Sequence, residues 1–162
     1  MNKVSLRTEK GVTIITSEIE INASKEKVWQ VLSLIGEIEK FHPLVKKSCA
    51  ITNAKSGLGA KRHCELLPMG QMEEEVVEWN EGKSFVLEVI GGKMLPPYCF
   101  MKGKIDLVES NEKTKVTFSF SYQLKYGMLG DLMNAMLIRP QFKKAPPKYV
   151  SGLKEYVETL NN

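Results

Sequence analysis

The chain has few residues of the kinds that build disulfide frameworks, metal sites or catalytic triads. Its 162 residues include three cysteines and two histidines. Cys49, Cys64 and Cys99 lie far apart and form no C-x-x-C pair, so neither a disulfide framework nor a zinc site is expected. Ligation of a metal by His42, His63 and Cys64 is the least favoured hypothesis, and no cofactor is predicted. We expect the cysteines to be small buried residues in a reducing compartment.

Long apolar runs and long runs of one charge are also missing. No apolar stretch approaches the roughly 20 residues that a membrane-spanning helix requires. Residues 1–18 lack the apolar core of a secretory signal, so a cytoplasmic protein is expected. The net charge is +4, and the acidic group at 73–78 and the basic group at 139–148 are too short to indicate a nucleic-acid-binding tail. We expect one domain over 1–162, as a monomer or weak dimer with no nucleic-acid partner.

The first third of the chain carries a strand signal followed by helix signals. Residues 12–21 are rich in β-branched residues and indicate a strand. Asn22 or Ser24 can cap a helix, and apolar residues at helical spacing predict two short helices over 24–41. Pro43 disfavours helical geometry at the residue before it, so the second helix should end there.

The FHP stretch at 41–43 holds one of the two histidines. A catalytic base and a residue at a tight corner both fit this pattern. Because the proline ends the helix and turns the chain toward the next strand, the corner role of His42 is favoured over the catalytic one.

From residue 45 the apolar residues recur with a period of two. In VTFSFSYQL at 116–124, aromatic and aliphatic residues alternate with serine, threonine and glutamine, which is typical of a sheet with one covered face. Stretches rich in glycine, proline and asparagine separate the strands. The predicted strands are 45–53, 60–67, 71–80, 85–90, 98–108 and 115–125.

The C-terminal part reads as a long helix over 128–160 with two apolar stripes. Pro146 and Pro147 fall between the stripes and predict a kink or break there. The first stripe comprises Leu129, Leu132, Met133, Met136 and Leu137, and the second comprises Tyr149, Leu153, Tyr156, Val157 and Leu160.

The order of elements predicts an α+β fold in which a seven-stranded curved antiparallel sheet wraps the long C-terminal helix. A curved sheet does not close completely around one helix, which leaves room for a cavity. Aromatic rings and methionines with a few hydroxyls would make this cavity an apolar pocket, although the same residues could simply fill the core. The predicted walls are Phe85 or Val86, Leu87, Tyr98, Phe118, Phe120, Tyr122, Leu132, Met133 and Met136.

Several local motifs resemble the START-like, or helix-grip, superfamily (SRPBCC), in particular its polyketide cyclase/dehydrase and lipid-transport group. EIEINASKEKVWQVLS at 18–33 is similar to that group's opening strand, small-residue cap and V-W helix. FHP resembles its aromatic–His–Pro corner, and GLGAKRHCEL at 57–66 resembles its G-x-G-x-x-R strand. EEEVVEWN at 73–80 and GGKMLPPY at 91–98 are similar to a further strand and loop of the group.

The resemblance implies a ligand pocket between the sheet and the C-terminal helix. Its expected occupant is a small hydrophobic or amphipathic molecule, lipid- or polyketide-like, that the protein binds or transports. The mouth would be formed by the loop at 67–70, the loop at 91–97 and the start of the last helix. The mouth residues named on this basis are Pro68, Met69, Gly91, Gly92 and Met94.

Two other functions stay open at this point. Some relatives are cyclases or dehydratases with an arginine and a glutamate in the cavity, which here would be Arg62 and Glu74, acting without a metal. A carboxylate in an apolar cavity would have a raised pKa and could serve as an acid or base. Alternation along the strand does not decide between Glu74 and Glu75 as the inward residue. A co-chaperone-like interaction module is the third possibility.

Overall fold

The computed structural model describes residues 2–160 as one antiparallel sheet with two groups of helical segments. The eight strands are ordered β1-β2-β8-β7-β6-β5-β4-β3 across the sheet. This arrangement confirms the predicted α+β class and the antiparallel sheet. The strands are β1 (Lys3–Glu9), β2 (Val12–Ile21), β3 (Val45–Ala50), β4 (Lys61–Leu66), β5 (Gln71–Asn80), β6 (Ser84–Lys93), β7 (Tyr98–Ser110) and β8 (Lys113–Leu124).

The helical segments fall into one group after β2 and another after β8. The first group is α1 (Lys25–Ser33) and a 3₁₀ segment (Ile35–Lys40). The second is α2 (Gly127–Met133), a π-helical segment (Asn134–Ile138), α3 (Arg139–Phe142) and α4 (Ala145–Thr159). Within residues 2–160 the structure contains no helix that is both long and apolar enough to cross a membrane.

The strand count was predicted as seven and is eight, because β1 was not recognised. All seven residues of β1 are exposed, and the strand pairs only with β2 at the edge of the sheet. Strands are predicted from the alternation of apolar and polar residues that one buried face produces. A strand held mainly by backbone hydrogen bonds does not need that alternation.

The capping residue of α1 is Ser24. Its Oγ accepts a hydrogen bond from the backbone N–H of Lys27 at 3.4 Å. Val28, Trp29 and Leu32 are the buried residues of α1 and pack into the main hydrophobic cluster. The 3₁₀ segment then leads to the FHP corner.

The long C-terminal helix is interrupted at Lys143 and Lys144, a few residues before the predicted site. Pro146 and Pro147 lie in the first turn of α4, where a proline is tolerated because the first N–H groups have no intrahelical partner. Tyr149, Val150, Leu153 and Val157 are buried and recur at helical spacing. This face of α4 packs across β2 and β8.

A close contact fixes α4 against the FHP corner. A Cβ atom at Gly152 would overlap the carbonyl oxygen of Phe41, so only glycine allows this approach. The Phe41 ring meets the Tyr149 ring edge-on at 5.3 Å. The corner is therefore part of the interface between the first helical group and α4.

Candidate functional site

The interior between the sheet and the C-terminal segments contains two separate clusters of buried apolar side chains. The larger cluster joins α1, the 3₁₀ segment and α4 to the sheet. The smaller one consists of Ile15, Val89, Met101, Tyr122 and Leu124. Met72, which is half-buried, packs against both clusters.

Inward-facing side chains between the two clusters keep accessible surface. Along β8, Val116 and Tyr122 are fully buried, whereas Phe118 and Phe120 between them are half-buried. Gly103 lies opposite Phe120 on β7, and a Cβ there would stand 2.9 Å from the Phe118 ring. Both rings therefore keep surface that other protein atoms do not cover, unlike a close-packed interior.

Three segments meet at the end of the sheet nearest these rings. They are the β4–β5 loop, the β6–β7 loop and the residues just before α2. Gly70 lies beside the β6–β7 loop, since a Cβ on it would be 3.5 Å from the Lys93 carbonyl oxygen. The N–H of Lys125, just before α2, donates to the Pro97 carbonyl oxygen at 3.0 Å. A depression of about 410 Å³ opens here, lined by Gly91, Gly92, Met94, Leu95, Pro96, Pro97, Tyr98 and Lys125.

The predicted mouth residues lie at this end, and most of them are exposed to solvent. Met69 and Met94 are exposed, as are Pro68 and Gly92, while Gly91 is half-buried. The two methionines therefore stand on neighbouring loops with no protein packed over them. Their role at the mouth of a ligand site stays a prediction.

The structure brings together some predicted wall residues and separates others. Tyr98 lines the depression, and Met133 is half-buried against the smaller cluster with Phe120. Leu87 belongs to the main core and is 2% exposed, so it is enclosed by protein. Leu132 and Met136 lie on the outer side of the C-terminal segment, exposed by 56% and 68%. These two positions do not face the interior.

The first apolar stripe was assigned to the wrong side of the helix. Of its five residues only Met133 points inward, whereas the inner side carries Gly130, Asn134, Ile138 and Phe142. Gly130 permits close contact with the preceding turn, because a Cβ there would overlap the Lys125 carbonyl oxygen. Gly130 in α2 and Asn134 at the start of the π-helical segment therefore determine which side of α2 faces the sheet, and the apolar residues do not.

Asn134 is the residue whose role the sequence did not reveal. Its Oδ1 accepts a hydrogen bond from the Tyr122 hydroxyl at 2.7 Å, and its Nδ2 donates to Thr13 Oγ1 at 2.9 Å. All three residues are buried. Burial raises the pKa of Tyr122, which keeps its hydroxyl protonated as the donor. A single asparagine inside an apolar helical stretch was the signal that could have identified this anchor.

Replacing Tyr122 with phenylalanine is expected to destabilise the protein by about 1–3 kcal/mol, because Asn134 Oδ1 would lose its donor in a buried site. Tyr126→Phe is the matched control, since Tyr126 is 68% exposed and should change stability by less than about 0.5 kcal/mol. Urea unfolding followed by circular dichroism measures both. Equal stability of the two variants would show that the Tyr122–Asn134 contact does not fix the helix.

Arg62 and Glu74 meet as cross-strand partners on β4 and β5. Arg62 Nε donates to Glu74 Oε2 at 2.6 Å, and Arg62 Nη1 donates to the Ile35 carbonyl oxygen at 3.0 Å. Both side chains are buried. Glu75 points to the other face, where it pairs with Lys61 at 3.4 Å. The strand register therefore selects Glu74 as the inward glutamate.

The groups around this ion pair are held in fixed protonation states. Burial alone would lower the pKa of Arg62, but the Glu74 carboxylate beside it raises that pKa above its usual value. Burial raises the pKa of Tyr149 well above its ordinary range and that of the Cys64 thiol to about 12. The arginine thus stays charged, and the phenol and the thiol stay neutral.

His42 is buried at the corner and is engaged by its surroundings. Its Nδ1 accepts a hydrogen bond from the Leu44 N–H at 3.3 Å, and its ring meets the Tyr149 ring edge-on at 5.5 Å. Burial, with the positive charges of Arg62 and Lys148, lowers the pKa of His42 to about 4. The imidazole is therefore neutral near pH 7, in agreement with a corner residue.

A second depression, of about 550 Å³, lies between this corner and α4. Charged side chains including Lys40, Lys148 and Glu155 line it together with His42 and Tyr156. It is an open groove on the outer side of the FHP corner.

Three solved structures resemble this fold at 13–17% sequence identity. A protein from Thermus thermophilus aligns over 92% of this chain and 99% of its own, with a TM-score of 0.75 and 17% identity. A START superfamily protein from Mycobacterium smegmatis covers 91% and 98%, with a TM-score of 0.70 and 13% identity. A norcoclaurine synthase variant from Thalictrum, in complex with a transition-state analogue, covers 99% and 100%, with a TM-score of 0.70 and 16% identity.

These structures show that the fold is START-like, as the local motifs suggested. No curated protein matches the chain by sequence. The family model for polyketide cyclases/dehydrases and lipid transport matches residues 12–158. Nearly the whole chain is included in that match, from β2 to the end of α4. The protein therefore belongs to the polyketide cyclase/dehydrase and lipid-transport family.

Proposed function

We propose that the protein binds a small hydrophobic or amphipathic molecule between the sheet and the C-terminal segments. The observation that carries this proposal is the row of half-buried, inward-facing side chains between the two apolar clusters. Phe118 and Phe120 contribute from β8, Met72 from β5, and Met133 and Phe142 from the helical side. Aromatic and methionine side chains that the protein covers only in part are typical of an apolar ligand site.

The position of polar groups suggests the orientation of the ligand. The inner walls are apolar, and the hydroxyl of Tyr122 is already bonded to Asn134. Lys125 lines the depression at the converging loops next to Tyr98. A ligand with an apolar body inside and a polar or anionic end near Lys125 fits this distribution of charge.

The contacts of Arg62 and Glu74 support a structural role for this pair. Arg62 ties β4 to β5 through Glu74 and to the 3₁₀ segment through the Ile35 carbonyl oxygen. A cyclase or dehydratase site at these residues would need the arginine to turn from both partners toward a ligand. We therefore base the proposed function on binding, with no catalytic step assigned.

Enlarging a side chain at the proposed site should prevent ligand uptake. Met133→Trp places a larger ring against the smaller cluster and is expected to weaken binding of dansyl-labelled undecanoic acid at least about tenfold, a loss of about 1.4 kcal/mol. Ala135→Trp adds the same ring two residues later, at an exposed position of the π-helical segment, and should bind as the unsubstituted protein does. Fluorescence titration measures affinity, and native mass spectrometry measures stoichiometry.

Unchanged affinity in a folded Met133→Trp variant would refute a site between the sheet and α2. Thermal unfolding of both variants separates loss of binding from loss of structure. Native mass spectrometry of the protein purified from its own host would identify a retained molecule. A one-to-one adduct that disappears in the Met133→Trp variant is the expected result.

A further inference from the structure

The outer side of the segment 126–137 presents a continuous set of large apolar side chains to solvent. Each of them is between 56% and 89% exposed. Scattered exposed apolar residues are ordinary, but six within twelve positions form a patch that calls for a partner. We name this patch the outer apolar surface, and it consists of Tyr126, Met128, Leu129, Leu132, Met136 and Leu137.

This exposure is a fixed property of the fold. Rotating the helix to bury Leu132 and Met136 would break the hydrogen bonds of Asn134 to Tyr122 and Thr13. It would also move Gly130 from its contact with the Lys125 carbonyl oxygen, where no side chain fits. These contacts therefore keep the apolar residues on the outer side, where they are exposed to water.

Positive charge is concentrated in the part of the sequence that carries this surface. Five of the 23 basic residues of the chain and one of its 19 acidic residues lie within 125–148, which gives this segment the whole formal net charge of +4. The rest of the chain is neutral overall. Along the chain, Lys125 precedes the outer apolar surface, and Arg139, Lys143 and Lys144 follow it, whereas Lys148 lies in α4 at the groove beside the FHP corner. All except the half-buried Arg139 are exposed.

The one acidic side chain of this segment points elsewhere. An oxygen of the Asp131 carboxylate lies beside the β1–β2 turn, 3.9 Å from where a Cβ of Gly11 would stand. No carboxylate of the segment therefore stands among the lysines that follow α3.

We propose that the outer apolar surface docks on an anionic phospholipid bilayer, with its leucines and methionines in the interfacial layer and the flanking lysines on the lipid headgroups. An exposed apolar helix face bordered by lysine is typical of segments that lie in a membrane interface. Lysine is depleted at protein–protein interfaces, so the composition favours a membrane over a protein partner. A tyrosine at the edge of the patch suits the same layer.

The docked orientation would bring the converging loops close to the bilayer. Lys125 lines the same depression as the exposed Met94, so this depression opens next to the proposed membrane contact. The docking proposal itself does not require a ligand inside the protein, and it is tested on vesicles without any added ligand.

Co-sedimentation with vesicles tests the proposal. The protein is expected to bind vesicles of phosphatidylcholine with about one-third phosphatidylserine at about 0.1 M salt, and to bind pure phosphatidylcholine far more weakly. The Lys143→Glu/Lys144→Glu variant should bind the anionic vesicles at least about 25-fold more weakly, since each basic residue contributes about fivefold. Lys46→Glu/Lys47→Glu makes the same charge change at exposed residues of β3 and should bind anionic vesicles clearly better than the first variant.

The apolar contribution is tested in the same way. Leu129→Ser/Leu132→Ser/Met136→Ser should abolish sedimentation with anionic vesicles, whereas Val4→Ser/Leu6→Ser on the exposed strand β1 should leave it intact. All of these positions are exposed, and circular dichroism verifies that each variant is folded. Failure of the folded protein to bind anionic vesicles would overturn the proposal. A second result would also overturn the proposal: the protein does not bind vesicles but dimerises as its concentration rises, and the triple variant stays monomeric. The outer apolar surface would then be the contact with a second copy of the chain.

Discussion

Replacing Arg62 with leucine is expected to destabilise the protein by about 3–5 kcal/mol, because the substitution leaves the Glu74 carboxylate buried without its partner. Arg62 and Glu74 are 5% and 7% exposed, so water cannot compensate the lost contact. The carbonyl oxygen of Ile35 would lose its donor in the same step. Urea unfolding of the variant, followed by circular dichroism, measures the change.

The same two strands provide a matched control for this prediction. Lys61 and Glu75 pair at 3.4 Å one position away, on the opposite face of the sheet, with side chains that are 36% and 33% exposed. Lys61→Leu is expected to cost no more than about 1 kcal/mol. A cost of Arg62→Leu no larger than this would contradict the structural role of the buried pair.

The double variant Arg62→Met/Glu74→Leu separates the ion pair from the space that it fills. With both charges removed, apolar side chains of similar size should restore most of the lost stability. A double variant as unstable as Arg62→Leu would mean that the shape of the arginine or its bond to Ile35, rather than the unpaired carboxylate, causes the loss.

Acidification is expected to destabilise the protein through His42 by about 2–3 kcal/mol between pH 7 and pH 4.5. The pKa of His42 is lowered from 6.5 to about 4 in the folded protein. Between these values the unfolded chain binds a proton that the folded protein does not bind, so the free energy of unfolding falls as the pH falls. Well above pH 6.5 the imidazole is neutral in both states and has no such effect.

The variant His42→Asn tests this pH dependence. The asparagine Oδ1 can accept the Leu44 N–H bond in place of Nδ1, and asparagine does not titrate. Because carboxylates also titrate in acid, the comparison is the change in unfolding free energy from pH 7 to pH 4.5 in each protein. The variant should lose about 2 kcal/mol less than the unsubstituted protein.

His63→Asn is the control, because the half-exposed His63 is the other histidine of the chain. The loss of stability from pH 7 to pH 4.5 should be smaller in His42→Asn than in His63→Asn, because only His42 is enclosed at the corner. If His42→Asn and His63→Asn show the same pH dependence, burial at the corner does not hold His42 neutral.

Much of the fold could be predicted from periodicity. The strands from β3 to β8 were predicted with boundaries within about three residues of those observed, because most of them alternate in burial and have turn residues at their ends. The order of the elements placed the helical segments on one side of the sheet. The family resemblance is confirmed over residues 12–158. The edge strand β1 was missed because it buries no face.

The inward glutamate depended on strand register. Glu74 shares a face with Met72 and Val76, and Glu75 with Val77 and Trp79, so both faces of β5 contain apolar residues. Pairing with β4 places Glu74 opposite Arg62 and Glu75 opposite Lys61. Register is a long-range property, because it requires knowing which residue of another strand lies opposite.

The amino-acid sequence was enough to establish the alternation of β8, the START-like order of elements and the break before α4. It could not establish which side of α2 faces the sheet. That orientation depends on Asn134 reaching both Tyr122 and Thr13, which are distant along the chain, and on the space available at Gly130. Hydrophobicity alone predicts that leucine and methionine turn inward. Buried hydrogen bonds and close backbone packing outweighed that tendency, so the leucines face outward and create the surface proposed to meet a membrane.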